Sequence, residues 1–271
     1  MFNKYFYQLI FKVIVFFALF LSPLNANEIN RPKVSIVVDN AYPPYSYLKD
    51  DKLEGIYVEM VLLAAQELMP FYQIELIPMP WKRAIFEVEL GHVMGVLPPY
   101  KHLEERPFIT PYSEPLMIES VIAFCNKDID INKYLDKKLK IPALNIGVNA
   151  GFLILGDKIT NAAKLGSVKI WENKNTSANI LKLLSKRIDC YINDKLSTLW
   201  QFKRMKQQNA LLNFDDIQAS MLIMEQQAYI GYAKGFSQLE TKADFIKRMN
   251  LALIKLKNTG EVKEILNRYI K

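Results

Sequence analysis

Two aromatic rings, Tyr42 and Trp81, fall in this sequence where they can sandwich a small molecule. Tyr42 lies in the proline-stiffened segment Ala-Tyr-Pro-Pro-Tyr-Ser-Tyr (41–47), directly after a Val- and Ile-rich run at 34–38. Trp81 opens a helical pattern directly after a second strand-like run at 73–77. Strand, helix, strand is an order that brings both rings out at the carboxyl ends of neighbouring strands, where open α/β sheets bind ligands. Such rings offer apolar faces together with a polar edge. Asp39 ends the first strand and can meet a polar group of the same ligand. Bond-making chemistry is not signalled. There is no nucleophile elbow, HExxH or phosphate loop. Cys125, Cys190, His92 and His102 are scattered without metal-ligand spacing. No cofactor and no metal are expected.

The elements that must position these residues alternate along the chain. Strands are expected at 34–38, 73–77, 93–97, 121–124, 145–148, 168–171, 188–192 and 228–233. Helices are expected at 58–69, 81–90, 153–163, 178–184, 196–207, 242–257 and 261–269. Thr176 and Ser177 suit the N-cap of the fourth helix, and Gly91 suits the residue after the second. This alternation predicts mostly parallel sheets flanked by helices. The strand–helix unit occurs twice, which suggests two lobes around a cleft.

The N-terminus reads as an export signal. Lys4 and Lys12 are the only charges in the first 26 residues, and an apolar run at 13–21 ends in Ser-Pro-Leu-Asn-Ala (22–26). The run is short for a membrane span, so a cleavable signal peptide at 1–26 and a periplasmic location are expected. Of the 271 residues about 245 remain, and the formal charge falls from +7 to about +5. Lys and Arg are spread without a basic stripe, so no nucleic-acid partner is expected.

Several motifs in order resemble the periplasmic solute-binding proteins of the polar-amino-acid type, family 3. They are Tyr42-Pro-Pro-Tyr45, Gly55 with Glu59, Glu104-Glu-Arg106 and Pro111-Tyr-Ser113. They continue with Ile146-Gly-Val148, Gly151, Arg187-Ile-Asp-Cys-Tyr-Ile-Asn-Asp194 and the helical segments near the C-terminus. The resemblance implies a two-lobed α/β fold, with lobe 1 at 27–116 plus 229–271, lobe 2 at 121–224, and a two-strand hinge near 116–120 and 224–228. It implies a monomer that closes on a small solute and hands it to an inner-membrane ABC permease. It also implies roles for particular residues. Arg106 would grip a ligand carboxylate with its planar fork. Asp194 would accept an ammonium, or cap the helix that follows it. Tyr42 and Trp81 would be aromatic walls, and Asp39 a further polar contact.

The sequence also departs from that pattern. Pro98-Pro99 replaces residues that donate backbone N–H groups to a carboxylate. Gly151-Phe152 lacks the usual hydroxyl after the glycine, leaving Gly151 as a backbone contact and Phe152 as a third wall. Met94 and Lys186 stand where an Asp and a Gly are usual. These changes make the pocket more aromatic, and the ligand's identity stays open. Lys101, His102 and Arg83 are further polar candidates, Lys101 at the rim. In the family fold Cys125 and Cys190 fall on neighbouring antiparallel strands of lobe 2, so they are either a disulfide or two buried thiols. The chain is expected to be a binder, not an enzyme, and no fused catalytic or signalling domain is expected. Two alternatives share the fold: a stand-alone sensory binder, and a dehydratase of the cyclohexadienyl type using Glu105, His102 or Asp194 as acid or base.

Overall fold

The computed structural model describes residues 31–135, 142–237 and 242–270. The expected signal segment 1–26 lies outside them. Val34, Ile36, Val37 and Val38 are all buried in β1 (Lys33–Asp39). A strand apolar on both faces belongs in the middle of a sheet covered on both sides. Accordingly β1 runs parallel to β5 (Gln73–Met79) on one side and to β6 (Gly95–Leu97) on the other. The crossovers are α1 (Ile56–Leu68) and α2 (Trp81–Glu89). Two antiparallel strands complete this sheet, β13 (Gly231–Ala233) and β7 (Ile109–Tyr112), in the order β5-β1-β6-β13-β7. The C-terminal helices α7 (Lys242–Thr259) and α8 (Glu261–Ile270) pack against α1.

The second sheet repeats the plan with β8 (Ile118–Asn126), β9 (Leu144–Asn149), β10 (Val168–Asn173), β11 (Cys190–Asp194) and β12 (Ile217–Gln227), in the order β10-β9-β11-β8-β12. Its helices are α3 (Asn132–Leu135), α4 (Gly156–Lys164), α5 (Thr176–Leu184) and α6 (Lys195–Gln208). In each sheet two pairings are parallel and two antiparallel. The architecture is thus two-lobed α/β with mixed sheets. The chain passes between the sheets twice. Where it does so, the Leu116 N–H donates to the Ala228 carbonyl (2.7 Å) and the Ala228 N–H to the Met117 carbonyl (2.9 Å).

The proline-stiffened segment 41–47 is not simply a loop. It begins a small antiparallel sheet of β2 (Ala41–Tyr42), β3 (Ser46–Lys49) and β4 (Lys52–Glu54). Asp50 and Asp51 turn the β3–β4 hairpin with positive φ angles of 48° and 60°; short polar side chains tolerate that region. Gly55 then starts α1 at φ 133°, where an added Cβ would lie 2.2 Å from the Tyr45 carbonyl oxygen. Only glycine lets the helix begin this close to the Tyr45 backbone.

Three further elements were not expected. β7 carries Pro111, which is tolerated because β7 is an edge strand. β12 lacks clean alternation because its pairing with β8 shifts register between Ala219 and Met221 and again between Leu222 and Met224. Such bulges break the period of two. The short α3 is the third. Among the expected helices, the one placed at 153–163 starts only at Gly156, and α5 is capped by Asn175, whose side chain accepts from the Ala178 N–H, rather than by Thr176 or Ser177.

Cys190 on β11 stands directly opposite Cys125 on β8, and the two form a disulfide. The bridge closes a loop across 65 residues. Chain entropy for a loop of that length gives on the order of 4 kcal/mol. Denatured, unreduced protein is expected to show no free thiol. The Cys125→Ser, Cys190→Ser double variant is expected to unfold at clearly lower urea concentration. Two titratable thiols in the unreduced parent would refute the bridge.

Candidate functional site

The carboxyl ends of the β-strands and the loops after them converge on one cavity. From the first lobe it is lined by Asp39, Tyr42, Trp81, Pro98, Tyr100, His102 and Arg106, and from the second by Phe152, Leu153, Ile154 and Asn193. Asp39 ends β1, where it is 3% exposed and accepts from the Ala41 N–H at 3.0 Å. Trp81 begins α2 immediately after Pro80. Arg106 sits in the turn before β7, pinned through its N–H to the His102 carbonyl (2.8 Å). The cavity that remains holds about 30 Å3. That is room for a water or two, not for an amino-acid-sized molecule.

Contacts between the lobes border the cavity. Both the Arg106 guanidinium (2.6 Å) and the Trp81 indole N–H (3.2 Å) donate to the Gly151 carbonyl of the second lobe. The guanidinium also lies 5.4 Å from the Trp81 ring centroid, a cation–π arrangement. Phe152 meets Tyr42 and Trp81 edge-to-face at 5.4 and 6.0 Å. Gly151 has φ 80°, and an added Cβ would press on the Lys82 side chain at 3.1 Å. Arg106 is 7% exposed, and burial lowers its pKa. Glu105 approaches His102 (3.9 Å), and among the described residues Arg106 forms no salt bridge. A desolvated guanidinium with only a carbonyl partner keeps most of its donors for a ligand anion.

Asp194 ends β11 and caps α6, accepting from the Ser197 N–H at 2.7 Å. Across the lobes it accepts the Tyr45 hydroxyl at 3.0 Å. Asp194 itself does not line the cavity; its neighbour Asn193 does. Burial raises the Asp194 pKa, opposed by the Ser197 N–H, the Tyr45 hydroxyl and two more backbone N–H groups. Behind Tyr42 lies a residue that the sequence offered only as part of the hinge segment. Glu119 of β8 is 1% exposed and accepts hydroxyls from Tyr57 (2.6 Å), Tyr100 (2.6 Å) and Tyr42. Burial raises its pKa most, followed by the nearby Asp194 charge, while the three phenols pull the other way. A signal for Glu119 exists in the sequence: it shares the period-two face of Val121, Ala123 and Cys125, all buried. Tyr45, Tyr57, Tyr100 and Asn193 were likewise not singled out for the site.

Of the named candidates, Asp39, Tyr42, Trp81, Arg106 and Phe152 line the cavity, and Gly151 joins it through its carbonyl. Two other polar candidates lie elsewhere. Lys101 is exposed, with its ammonium 4.3 Å from the Tyr229 ring centroid, and Arg83 pairs with Glu87 along α2. His102 does line the cavity, with its pKa lowered first by burial and then by Arg106. Among the described residues no cluster of His, Cys, Asp and Glu could hold a metal ion, and no helix is long and apolar enough to cross a membrane.

Residues 34–271 match the model for bacterial extracellular solute-binding proteins, family 3. The chain belongs to this family. A search of curated proteins finds no match. Among solved structures, this family 3 protein is similar to an ancestral arginine-binding protein bound to arginine. The identity is 20%, the TM-score 0.68, and 89% of this chain and 99% of that one are covered. It is similar to the substrate-binding protein AbpA of an amino acid ABC transporter from Streptococcus pneumoniae, bound to L-arginine (17% identity, TM-score 0.66, coverage 88% and 94%). It is also similar to a histidine kinase sensor domain (14% identity, TM-score 0.68, coverage 88% and 96%). At these identities the likeness establishes the fold.

Asp39 gives a test of the site's desolvation. Burial pushes its pKa from 3.8 up to about 7. A carboxyl whose folded pKa is raised contributes full stability below its unfolded pKa and loses it as pH rises through the folded one. Asp39→Asn mimics the neutral form. Its unfolding free energy relative to the parent is expected to rise between pH 4 and pH 8, with a ceiling of roughly 4 kcal/mol at the upper end. A difference that does not change with pH would show Asp39 to be compensated.

Proposed function

We propose that this family 3 protein is an exported binder that closes its two lobes on a small amino-acid-like solute and delivers it to an ABC importer in the inner membrane. The observation that carries this reading is the convergence on one cleft of a buried, unpaired guanidinium and three aromatic walls drawn from both lobes. Arg106 takes the ligand's carboxylate, Trp81, Tyr42 and Phe152 enclose its apolar part, and Asp39 serves a polar group, while Asp194 acts from behind the wall by holding Tyr45 and the start of α6. Gly151 offers its carbonyl beside the carboxylate site. The hinge is the pair of connections near 116–120 and 224–228, with lobe 1 at 27–116 plus 229–271 and lobe 2 at 121–224. Opening there would part the Gly151 contacts and admit solute, and ligand would shift the population toward the closed form. Amino acid binding by AbpA and by the ancestral arginine binder supports an amino-acid-like solute. The protein acts as a monomer, without catalysis, and a signal peptide at 1–26 directs it to the periplasm.

Two outcomes test this. Calorimetry on whichever amino acid raises the melting temperature is expected to show Arg106→Ala weaker by roughly 2–5 kcal/mol, about thirtyfold or more. Trp81→Ala is expected to cost more than about 1 kcal/mol and Lys101→Ala little. Arg106→Ala binding as well as the parent would move the carboxylate grip elsewhere. Intact mass of the exported protein is expected to correspond to a chain beginning near Asn27, and retention of residues 1–26 in a membrane fraction would contradict export by cleavage.

A further inference from the structure

Three acids are buried in or behind the cleft against a single buried guanidinium, and burial raises the pKa of each, so their full ionisation would need further positive charge. Asp39, Glu119 and Asp194 are each no more than 3% exposed, and Arg106 is the one Lys or Arg among the cavity's lining residues. A zwitterionic ligand would leave that imbalance where it is, because its ammonium and carboxylate cancel. A ligand with one additional cationic group would relieve it.

The hydrogen bonds point the same way, independently of the charge inventory. Tyr42 and Tyr100 line the cavity, and their hydroxyl oxygens are 3.5 Å apart. Both protons are committed to the same Glu119 oxygen, Oε2, while Tyr57 donates to Oε1. A phenol whose proton is committed can only accept from anything else. An O–H donated to a carboxylate also makes the phenol oxygen a better acceptor. The wall therefore presents two adjacent acceptors, spaced to take two N–H groups of one ammonium or guanidinium. Asn193 adds a third. It is fully buried, it lines the cavity, and its Oδ1 has no partner. Its orientation is fixed by the Thr198 hydroxyl, which donates to the Asp194 carbonyl and so must accept from Asn193 Nδ2 (3.4 Å). A buried acceptor without a donor costs stability, and a donor-rich ligand would remove that cost.

We propose that the cleft selects a solute carrying one more cationic group than anionic, and that Glu119, acting through the Tyr42 and Tyr100 phenols, is the positioning residue for this selection. The proposal rests on the amino-acid-like reading above and adds a substrate class to it. Glu119 itself does not line the cavity. It sets the direction of the phenol protons and supplies a negative field behind them. The groups around it are Tyr42, Tyr57 and Tyr100, with Tyr45 and Asp194 beyond. A bound cation favours the ionised carboxylate, so cation affinity is expected to rise with pH as Glu119 gives up its proton.

The test uses three matched probes: L-lysine, L-norleucine, which lacks the side-chain ammonium, and cadaverine, which lacks the carboxylate. Calorimetry on the parent is expected to show L-lysine at least about tenfold tighter than L-norleucine. Glu119→Gln keeps the shape but removes the charge and frees the phenol protons, and is expected to narrow that ratio by about tenfold. Tyr57→Phe removes a donor without touching the cavity wall, and so serves if Glu119→Gln does not fold. It is expected to move the pH at which L-lysine affinity falls upward, since a carboxylate with fewer donors holds its proton to higher pH. A merely structural role for Glu119 would weaken both amino acids alike and leave the ratio and the pH profile unmoved, which would overturn the proposal. Equal affinity of the parent for L-lysine and L-norleucine would also overturn it, while leaving the amino-acid-like reading standing. Cadaverine binding as tightly as L-lysine would uphold the cation selection and overturn the carboxylate grip at Arg106. Failure of all three to bind would overturn both.

Discussion

A carboxylate buried between two lobes has to be satisfied by both, and much of this cleft follows from that requirement. Glu119 belongs to a strand of the second sheet, yet its three donors come from β2, α1 and the loop after β6 in the first lobe. The tyrosines are therefore more than hydrophobic bulk. Each spends its ring on packing and its hydroxyl on an acid that would otherwise be stranded in an apolar interior. Tyr45 repeats the arrangement at one step's remove, stacking on Tyr57 at 4.7 Å and donating to Asp194. Asp194 in turn holds the first turn of α6. A chain of polar contacts thus runs from a helix terminus in one lobe to the aromatic wall of the other.

The opposite side of the cleft is closed by a different device. One carbonyl, that of Gly151, accepts from both the Arg106 guanidinium and the Trp81 indole. A carbonyl has two lone pairs, so both bonds can form at once. The exposed ion pair between Lys82 and Glu172 (2.5 Å) spans the same seam but lies in solvent, where such pairs contribute little.

The parallel strands, their crossover helices and the aromatic residues at the sheet edge were legible because local pattern and burial agree there. Val34 to Val38 are apolar on both faces, and Trp81 follows a strand and a proline. The elements that escaped are those in which a tertiary constraint overrides the local signal. β7 contains a proline that only an edge position permits, β12 loses its alternation to two register shifts, and segment 41–47 forms a hairpin sheet behind prolines that suggest a loop. At the site, Arg106, Tyr42 and Trp81 announce themselves by type. Glu119 does not, because a single acid in a strand normally faces water. Only its place on the same face as Val121 and Ala123 marks it as buried, and nothing local shows that three tyrosines distant in sequence will meet it.

β12 has a consequence beyond concealment. It is the outer strand of its sheet, eleven residues long, with Leu222 more than half exposed. A straight strand of that length and character would offer a ready template for a second molecule to extend the sheet. The two bulges twist it and interrupt its free row of donors and acceptors. The irregularity that hides this strand from a reader of the sequence also hides it from other copies of the protein, and so guards against aggregation where many copies share one compartment.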